Sequence, residues 1–499
     1  MSCECVKEIV TANGCLPPRK WCSAWPLGLD LLVKAFEYDR RQQILKFSLE
    51  VVAQSSTTFE QSLLFARGID TIEPRNIQAL LSTQFTGFGL GLRPQTFSPL
   101  LGSGIFTQDG TPWRHSRELL RPQFMTNRLT NFDQIKAAVE DLISSIPANE
   151  VVDLQPLFFR LTFEITLFLL FGQDLSTVKS KDSFGQESDF AAAFNLAQGY
   201  LAKRGRLGDL YWLLGGKEFR RACKVCHEFV DDAVQHALDR AAASTKPNVG
   251  ERTGPYVFIN ALIEETHDRK ALRDQCLNTL LAGRDTTACC LTWTLRLLVQ
   301  HPRVLSKLRA EIRDSIGVGP GAQAPTITQL KTFTYLLLVL KEVPRLYPSV
   351  PVNSRTAIRT TTLPTGGGPT GTSPILVRKG EAVGYCVYAM HRWKDIYGPD
   401  ADEFRPERWE NDELDNVGWG YLPFNGGPRV CLGQEFAMLE AKYTIVRLLQ
   451  TFEHIEVGAG GFGRAVGEER QVLTLVVSSA DGCAVRMRRY DGCDGIESA

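Results

Sequence analysis

Cys431 lies in the stretch of the chain whose residue types are best suited to chemistry. The stretch reads Phe424-Asn425-Gly426-Gly427-Pro428-Arg429-Val430-Cys431-Leu432-Gly433. The paired glycines allow a tight turn close to the sulfur, and the run after Gly433 has helical periodicity. Backbone N–H groups and the positive end of such a helix favour a thiolate over a thiol. The sequence therefore predicts a cradle for a thiolate, with a buried free cysteine before an ordinary helix as the alternative.

The pattern F-x-x-G-x-R-x-C-x-G fixes five positions, here Phe424, Gly427, Arg429, Cys431 and Gly433. From average residue usage, its chance occurrence in a chain this long is on the order of one in ten thousand. At these residues the chain resembles the cytochrome P-450 family, whose haem-binding loop carries this pattern. The resemblance implies a haem b (iron protoporphyrin IX) with an axial thiolate from Cys431. It also implies that Phe424, Arg429 and Gly433 contact the cofactor, Arg429 as a propionate donor.

Trp113 and Arg117 are four residues apart, on one face of a helix predicted to begin near Thr111 and Pro112. On their own they indicate a core indole beside a solvated guanidinium. In the family, the W-x-x-x-R pair of the third helix reaches a haem propionate. The resemblance therefore implies that both residues bind the cofactor, since an arginine fork suits a carboxylate.

A long helix is predicted from Leu272 to Leu298, with the polar segment AGRDTT (282–287) in its apolar middle. Gly283 would permit the close approach of a flat partner, whereas the alternative is a kinked core helix with a solvated Arg-Asp pair. The segment resembles the A-G-x-D-T-T signature of the family's distal helix. That resemblance implies that Gly283 lies against the haem, that Thr286 bonds dioxygen and organises water, and that Asp285 connects this water to solvent protons.

Glu342 and Arg345 are spaced i, i+3 and face one another on a predicted helix. A surface ion pair would contribute little there. In the family this E-x-x-R pair is buried with a third cation, matched here by Arg408, and the resemblance implies that the three hold the haem-side scaffold in register. Pro344 lies between the pair and crowds the carbonyl of Leu340, which puts the helix geometry in question.

Arg355 follows Arg345 by ten residues, after a proline-rich extended segment where family members place another propionate-binding arginine. The loop Gly87-Phe88-Gly89-Leu90-Gly91 is predicted to be either a mobile lip of the substrate pocket or a plain surface loop. The residues expected to border the substrate pocket are Phe88, Val350, Val352 and Asn353.

Composition indicates one large globular chain with no general attraction to nucleic acid. Of 499 residues, 43% are hydrophobic and 22% charged, with 56 basic and 56 acidic side chains. Helical periods dominate over short β-rich runs, which predicts a mainly α fold with small β-sheets, and no linker or repeat divides residues 1–499 into separate domains. The thirteen irregularly spaced cysteines indicate reduced thiols. The family resemblance implies a single P-450 fold with the haem between the distal helix and the helix after Cys431.

No run reaches the eighteen or so apolar residues that a membrane-spanning helix needs. Leu157–Phe171 carries Arg160 and Glu164 on one face and is predicted to be an amphipathic core helix. The N-terminal segment 1–25 has no apolar core, so it predicts neither a secretion signal nor an anchor. At the other end, the polar tail 480–499 is predicted to be disordered.

Before this tail, Thr365–Ser373 is predicted to be a flexible turn followed by strands 375–377 and 383–388, which would form a hairpin-like unit.

Cys223, Cys226 and His227 form the C-x-x-C-H pattern of covalent c-type haem attachment. The pattern lies inside a continuous helical run, 219–238, in a chain without an export signal. A chance arrangement is the favoured interpretation, and a c-type electron carrier is the alternative function that it would support.

Similarity to the family extends from about residue 50 to 490, and AGRDTT, YPSVPVNSR, ADEFRPERW and FNGGPRVCLGQEFA resemble fungal microsomal alkane and fatty-acid hydroxylases. The resemblance implies a monooxygenase that inserts one oxygen atom of O2 into a C–H bond of an apolar substrate, with oxidative tailoring of a fungal secondary metabolite as an alternative. No G-x-G-x-x-G dinucleotide fingerprint occurs, so an NADPH-cytochrome P-450 reductase is expected to supply electrons. The expected location is the cytosolic face of the endoplasmic reticulum membrane or the cytoplasm. A haem-free binding scaffold is a third alternative.

Overall fold

The computed structural model describes residues 9–21, 25, 28–63, 66–125, 128–172, 183–243, 257–410, 412–458, 462 and 466–490. The chain divides into two compact units, each assembled from three separated stretches. Unit 1 comprises Met1–Gly91, Leu338–Cys431 and Gly463–Asp481, and unit 2 comprises Leu92–Leu337, Leu432–Phe462 and Gly482–Ala499. A single domain over residues 1–499 stays a prediction.

Helices make up most of the described chain, as the periodicity predicts. They are α1 (Leu29–Arg40), α2 (Ile44–Gln54), α3 (Pro74–Gln78), α4 (Arg93–Leu101), α5 (Gly110–Met125), α6 (Arg128–Ser145), α7 (Leu154–Phe171), α8 (Ser183–Leu207), α9 (Lys217–Ala243), α10 (Phe258–Glu265), α11 (Arg269–Gln300), α12 (Pro302–Ile316), α13 (Ile327–Thr332), α14 (Thr334–Leu346), α15 (Val387–Met390), α16 (Lys394–Tyr397) and α17 (Gln434–Thr451).

The strands are short and form small sheets. They are β1 (Arg19–Lys20), β2 (Thr58–Leu63), β3 (Ala66–Thr71), β4 (Phe88–Gly89), β5 (Val151–Asp153), β6 (Val352–Ala357), β7 (Thr361–Gly367), β8 (Ser373–Val377), β9 (Ala382–Cys386), β10 (Phe452–Val457), β11 (Gln471–Leu473), β12 (Val477–Ser479) and β13 (Ala484–Arg489).

Unit 1 is built on a six-stranded mixed sheet of order β1-β2-β3-β9-β6-β4. The β1–β2 and β3–β9 pairs are parallel, and Ile69 of β3 lies opposite Val383 of β9. These two side chains join one hydrophobic core with Leu80 and Leu81, which follow α3. The sheet therefore connects strands from the first ninety residues with strands of the segment before the cysteine loop.

The predicted hairpin of strands 375–377 and 383–388 is wrong. Strand β8 pairs with β7, with Ile375 opposite Leu363, whereas β9 pairs with β3 and β6. Gly366 and Gly368 have φ angles of +109° and +75°, which turn the chain back on itself between β7 and β8. The glycine-rich segment is thus the turn of a hairpin that lies earlier in the chain than predicted.

In unit 2, the long helix α11 begins at its cap Asp268, whose side chain accepts a hydrogen bond from the N–H of Lys270 at 3.0 Å. It runs without interruption through the polar segment 282–287, and most of its residues are buried. Helix α7 packs beside it. Helix α7 is the one helix of the described chain that is long and apolar enough to cross a membrane, and 61% of it is buried inside the protein.

The end of the described chain is ordered, contrary to the predicted disorder from residue 480. Strand β13 pairs antiparallel with β10 and with β5, where Val485 lies opposite Val457 and Val152. Val485 and Met487 are buried, so alternate residues of this strand belong to the core. Residues 491–499 of the predicted tail and 1–8 of the N-terminal segment lie outside the described residues.

Candidate active site

Cys431 differs from the other described cysteines in its exposure. Of the nine cysteines that the structure describes, six are buried, two are half-buried, and Cys431 is exposed. Its backbone N–H donates to the carbonyl of Phe424 at 3.0 Å, and the N–H of Val430 donates to the carbonyl of Gly427 at 3.0 Å. The sulfur is therefore presented outward by a loop that is closed on itself.

Two residues of this loop have left-handed backbone conformations. Asn425 has φ +61° and Gly427 has φ +66°. The Asn425 side chain accepts from the Tyr385 hydroxyl at 3.1 Å and donates to the carbonyl of Arg429 at 3.2 Å. A Cβ at position 427 would lie 1.9 Å from the carbonyl oxygen of Leu81, so glycine alone fits there.

The remaining predicted cofactor residues of the loop flank the cysteine. Phe424 and Arg429 are half-buried. Gly433 is the N-cap residue of α17, which agrees with a helix predicted to start next to the sulfur. The contacts of these three residues with haem stay predictions.

Glu342, Arg345 and Arg408 meet in the interior of unit 1, where their exposed fractions are 0%, 0% and 1%. The Glu342 carboxylate accepts from Arg345 Nε at 2.8 Å, Arg408 Nε at 2.9 Å and Trp409 Nε1 at 2.9 Å. Helix α14 runs continuously through Pro344, and Glu342 and Arg345 still lie on the same face of it. One carboxylate thus holds two guanidiniums from distant parts of the chain.

His391 is a residue of this region that the motifs did not indicate. It is fully buried, and its Nε2 accepts from the backbone N–H of Leu422 at 2.8 Å, while its Nδ1 lies 3.1 Å from the carbonyl of Arg345. Arg345 in turn donates to the carbonyl of His391 at 2.7 Å. His391 therefore links the scaffold pair to the segment just before Phe424. In the sequence, the one available signal was that His391 follows the predicted strand 383–388, in the segment Ala389-Met390-His391-Arg392.

Arg355 lies on β6 and is 3% exposed. Its Nη1 donates to Asn353 Oδ1 at 3.1 Å and to the carbonyl of Ser354 at 2.7 Å. Its Nε has no hydrogen-bond partner among the described residues. A buried guanidinium with an unused donor suits an anionic group such as a propionate.

Trp113 and Arg117 lie on α5, as the W-x-x-x-R spacing predicts. Trp113 is 4% exposed, and the Arg117 guanidinium carbon is 5.9 Å from the centre of its ring. Between them, Ser116 Oγ accepts from Gln275 Nε2 of α11 at 2.7 Å. Helix α5 is therefore joined to α11 within unit 2.

Thr286 lies half-buried in the middle of α11, and its hydroxyl donates back to the carbonyl of Ala282 at 2.8 Å. A Cβ on Gly283 would lie 2.3 Å from Thr166 Oγ1 of α7. The space left by this glycine is thus used by the packing of α11 against α7. The contact of Gly283 with haem stays a prediction.

Asp285 and Arg284 form a buried ion pair, not the solvated pair that the sequence left open. They are 1% and 2% exposed, and Arg284 Nη1 lies 2.7 Å from Asp285 Oδ1. Burial raises the pKa of Asp285 above its ordinary value, although Arg284 and the Gln198 side chain oppose the rise. The carboxyl can therefore take up a proton more readily than an exposed aspartate.

Glu440 on α17 is a second buried carboxyl that the motifs did not indicate. Burial raises the pKa of Glu440 to about 8, and a hydrogen bond with Thr287 of α11 partly opposes this rise. Its Oε1 has no hydrogen-bond partner among the described residues. It lies in the interface between α17 and the helix that carries Thr286.

The residues predicted to border the substrate pocket have different surroundings. Phe88 is buried in the core of unit 1 and forms strand β4, so its segment is not a plain surface loop, and its part as a mobile lip of the substrate pocket stays a prediction. Val350 and Val352 are each 40% exposed, and Asn353 is half-buried beside Arg355. Their part in substrate binding stays a prediction.

The C-x-x-C-H residues are packed inside unit 2. Cys223 and Cys226 are 5% and 0% exposed in the unbroken helix α9, and His227 Nε2 lies 2.9 Å from the carbonyl of Leu100. Burial raises the pKa of both thiols to about 12. Sulfurs enclosed in this way argue against covalent haem attachment and hence against a c-type electron carrier.

The described residues fit a haem with a thiolate ligand. The exposed sulfur of Cys431 lies in a loop whose backbone at Gly427 has no room for a side chain. Arg355 offers a buried donor without a partner among the described residues. An anionic propionate suits such a guanidinium. Cys431 thus suits the iron of the haem, and Arg355 suits a propionate.

A family model described as Cytochrome P450 matches residues 35–460. The chain is 68% identical to a cytochrome P450 of Arthroderma benhamiae, over 97% of this chain and 94% of the relative. It is 46% identical to cytochrome P450 52A5 of Candida maltosa, over 89% and 86% of the two chains. It is 42% identical to cytochrome P450 monooxygenase g430 of a Fusarium species, over 96% and 86%. The haem domain of cytochrome P450DA shares the fold, with a TM-score of 0.75 at 21% identity over 95% of this chain and 98% of that one.

Proposed function

The chain belongs to the cytochrome P450 family, and from that premise we propose that it hydroxylates a long alkyl chain, as found in a fatty acid or an alkane. The family makes it a haem-thiolate monooxygenase that uses dioxygen, an apolar substrate and a redox partner. The observation that carries the substrate class is the AGRDTT segment, whose sequence resembles the distal helix of fungal alkane and fatty-acid hydroxylases and which here holds a buried Arg284–Asp285 pair. The 46% identity to P450 52A5 supports the same class.

When bound, haem supplies the activation of O2: with two electrons and two protons, one oxygen atom enters the C–H bond and the other leaves as water. Cys431 is the thiolate ligand. Trp113, Arg117, Arg355 and Arg429 are proposed to bind the propionates, as donors to carboxylates.

Proton delivery is assigned to α11. The Thr286 hydroxyl is half-buried and orients water, and Asp285 passes protons to that water from solvent. A carboxyl whose pKa is raised by burial is suited to hold a proton between transfers.

The redox partner is proposed to be NADPH–cytochrome P450 reductase, and the location the cytosolic face of the endoplasmic reticulum. An exposed apolar stripe on α1 supports membrane contact: Leu29, Val33 and Phe36 are 38%, 52% and 54% exposed at successive helical turns, and the preceding Trp25 is 54% exposed. Phosphatidylcholine vesicles should bring the protein to the top of a flotation gradient. The double variant Val33→Glu, Phe36→Glu should stay at the bottom, and equal flotation would remove the stripe from the proposal.

The function is tested by reconstituting the purified protein with haem, reductase, NADPH and either dodecanoic acid or hexadecane. Hydroxylated products are expected, together with displacement of the iron-bound water on substrate addition. Cys431→Ser should abolish the red-shifted Soret band of the reduced carbonyl complex, and Cys226→Ala should keep it. Turnover of polyketide-like compounds with none of either alkyl substrate would instead favour tailoring of a secondary metabolite.

A further inference from the structure

Arg284 is a buried cation in the middle of α11, one residue before Asp285. Its guanidinium carbon lies 4.9 Å from the ring centre of Phe159 on α7 and 5.7 Å from that of Phe194 on α8. Thr162 Oγ1 donates to the carbonyl of Arg284 at 2.6 Å. Two aromatic rings and a backbone bond thus fix this cation, in addition to its charge partner.

One nitrogen of Arg284 connects the buried carboxylate with the protein surface. Nη1 donates to Asp285 Oδ1 at 2.7 Å and to Asn195 Oδ1 at 2.9 Å. Asn195 is exposed on α8, whereas the side chains of Arg284 and Asp285 are 3% and 2% exposed. The guanidinium therefore bridges the exposed residue Asn195 and the buried carboxylate of Asp285.

The two oxygens of Asp285 are not equivalent. Oδ1 is occupied by Arg284, but Oδ2 is buried and has no hydrogen-bond partner among the described residues. A hydrogen bond between the Gln198 side chain of α8 and this carboxylate lowers the pKa of Asp285, against the stronger effect of burial. A buried oxygen without a partner costs free energy and calls for a functional reason.

We propose that Arg284 is a positioning residue for proton delivery: it occupies Oδ1 of Asp285 and closes the route from Asn195, so that Oδ2 is the oxygen that carries the proton. Oδ2 would take up a proton that reaches it from solvent through water, so that no hydroxide is left behind, and would release it to the water beside Thr286, which restores the carboxylate. The proposal rests on the proposed function, in which Asp285 supplies that water.

Other titratable groups near the pair stay neutral. Cys226 of α9 and Cys289 of α11 interact with Arg284, and Cys289 also with Asp285. Burial raises the pKa of Cys226 to about 12 and that of Cys289 well above its ordinary value. Arg284 is therefore the cation that acts on Asp285, and its removal changes the charge at that site directly.

The test compares Arg284→Met, which keeps the chain length without the charge, with the control Arg273→Met. Arg273 lies on the same helix and also precedes its aspartate: Nη1 is 3.0 Å from Asp231 and Nη2 is 3.4 Å from Asp274. In the resting holoenzyme, infrared spectra across pH follow the C=O band of the protonated carboxyl, identified by its loss in Asp285→Asn. In Arg284→Met this band should persist to a pH higher by about 1–3 units, because the opposite charge is gone.

During turnover, product formed per NADPH should fall about tenfold or more in Arg284→Met, and the solvent isotope effect on product formation should change with it. Arg273→Met should match the unaltered protein in both measurements. An Arg284→Met enzyme with the coupling, isotope effect and infrared titration of the control would overturn the proposal.

Two further variants keep the test decisive if Arg284→Met does not fold. Arg284→Lys keeps the charge but lacks the planar guanidinium that lies against Phe159 and Phe194, and Asn195→Ala changes only an exposed residue. Both should lower coupling while leaving haem content and the reduced carbonyl band intact, and unchanged coupling in both would refute the role of Arg284. Failure of the unaltered protein to make product would instead count against the proposed function.

Discussion

His391 accepts a hydrogen bond from the backbone N–H of Leu422 through Nε2, at 2.8 Å. Because Leu422 must be the donor, the ring proton is on Nδ1, which donates to the carbonyl of Arg345 at 3.1 Å. One neutral imidazole thereby joins the buried scaffold pair to the segment that leads into the cysteine loop.

Replacing this imidazole should loosen the loop. His391→Leu would leave a buried N–H and a buried carbonyl without their bonds, at about 1–3 kcal/mol each in the free energy of unfolding. We expect partial loss of the red-shifted Soret band of the reduced carbonyl complex. His391→Gln offers one donor and one acceptor and should restore most of that band; failure of Gln to do better than Leu would mean that ring packing, and not hydrogen bonding, is what matters.

The same residue predicts a pH dependence of stability. Burial, and next to it the positive charge of Arg345, lower the pKa of His391 to about 3, whereas an unfolded histidine has a pKa of about 6.5. Between these values the unfolded chain binds a proton that the folded chain does not. The contribution of His391 to stability is thus complete above pH 6.5 and is lost toward pH 3, at about 1.4 kcal/mol per pH unit. Urea unfolding at pH 7.5 and 5.0 should show a weaker pH dependence in His391→Gln, and equal dependence would contradict the assignment.

Removing the shared carboxylate of the scaffold should be costly. Glu342→Ala leaves the buried Arg345 without a carboxylate partner and Arg408 with Asp400 alone, and breaking a buried pair in this way typically costs about 3–5 kcal/mol in the free energy of unfolding. The control is Glu37→Ala, whose partner Arg41 lies 2.6 Å away on a surface with 59% and 41% exposed side chains. That pair should contribute about 0.5 kcal/mol or less. Similar unfolding midpoints for both variants would show that the network does not support unit 1.

Thr286→Ala should uncouple NADPH use from product while leaving haem bound. Loss of the hydroxyl removes one proton-relay group, so coupling should fall about tenfold, with peroxide appearing instead. Thr292→Ala is the matched control, because Thr292 makes the same back-bond on the same helix, to Ala288 at 2.8 Å. Equal coupling in the two variants would take Thr286 out of the relay.

Gly427→Ala should prevent the cysteine loop from closing. The added Cβ would have to occupy the place of the Leu81 carbonyl, in addition to a φ of +66° that costs about 1–2 kcal/mol. Gly371→Ala separates the two effects, because Gly371 has φ +71° and open space around it. We expect haem loss in the first variant only. If Gly427→Ala retained haem, residue 427 would not lie against the carbonyl of Leu81 in the holoenzyme.

Motifs whose members are close in sequence were predictable. The cysteine loop, α17 and the Glu342–Arg345 pair follow from spacing, and α14 continues past Pro344 to Leu346. What could not be predicted depends on distant partners. The burial of Arg284 requires Phe159 and Phe194 from other helices. The residues of AGRDTT alone do not determine whether this arginine is exposed to solvent or packs against aromatic rings.

Strand pairing shows the same limit. The pattern locates strands near 375–377 and 383–388, but pairing depends on hydrogen bonds with β3, β6 and β7, which the local sequence does not encode. The ordered strand β13 was missed because its arginines make it look polar, although every second side chain is buried. The hydrogen bonding of His391 likewise depends on Leu422, thirty-one residues away.

The parallel pairing of β3 with β9 has a consequence for biosynthesis. Ile69 leaves the ribosome more than three hundred residues before its neighbour Val383, so the strand edge of β3 waits unpaired while most of the chain is still being made. Unit 1 also needs residues up to Asp481, so the part that carries Cys431 is completed near the end of translation. Yield in a heterologous host should therefore depend on chaperones that shield the first ninety residues, and on a supply of haem at the moment when the loop closes.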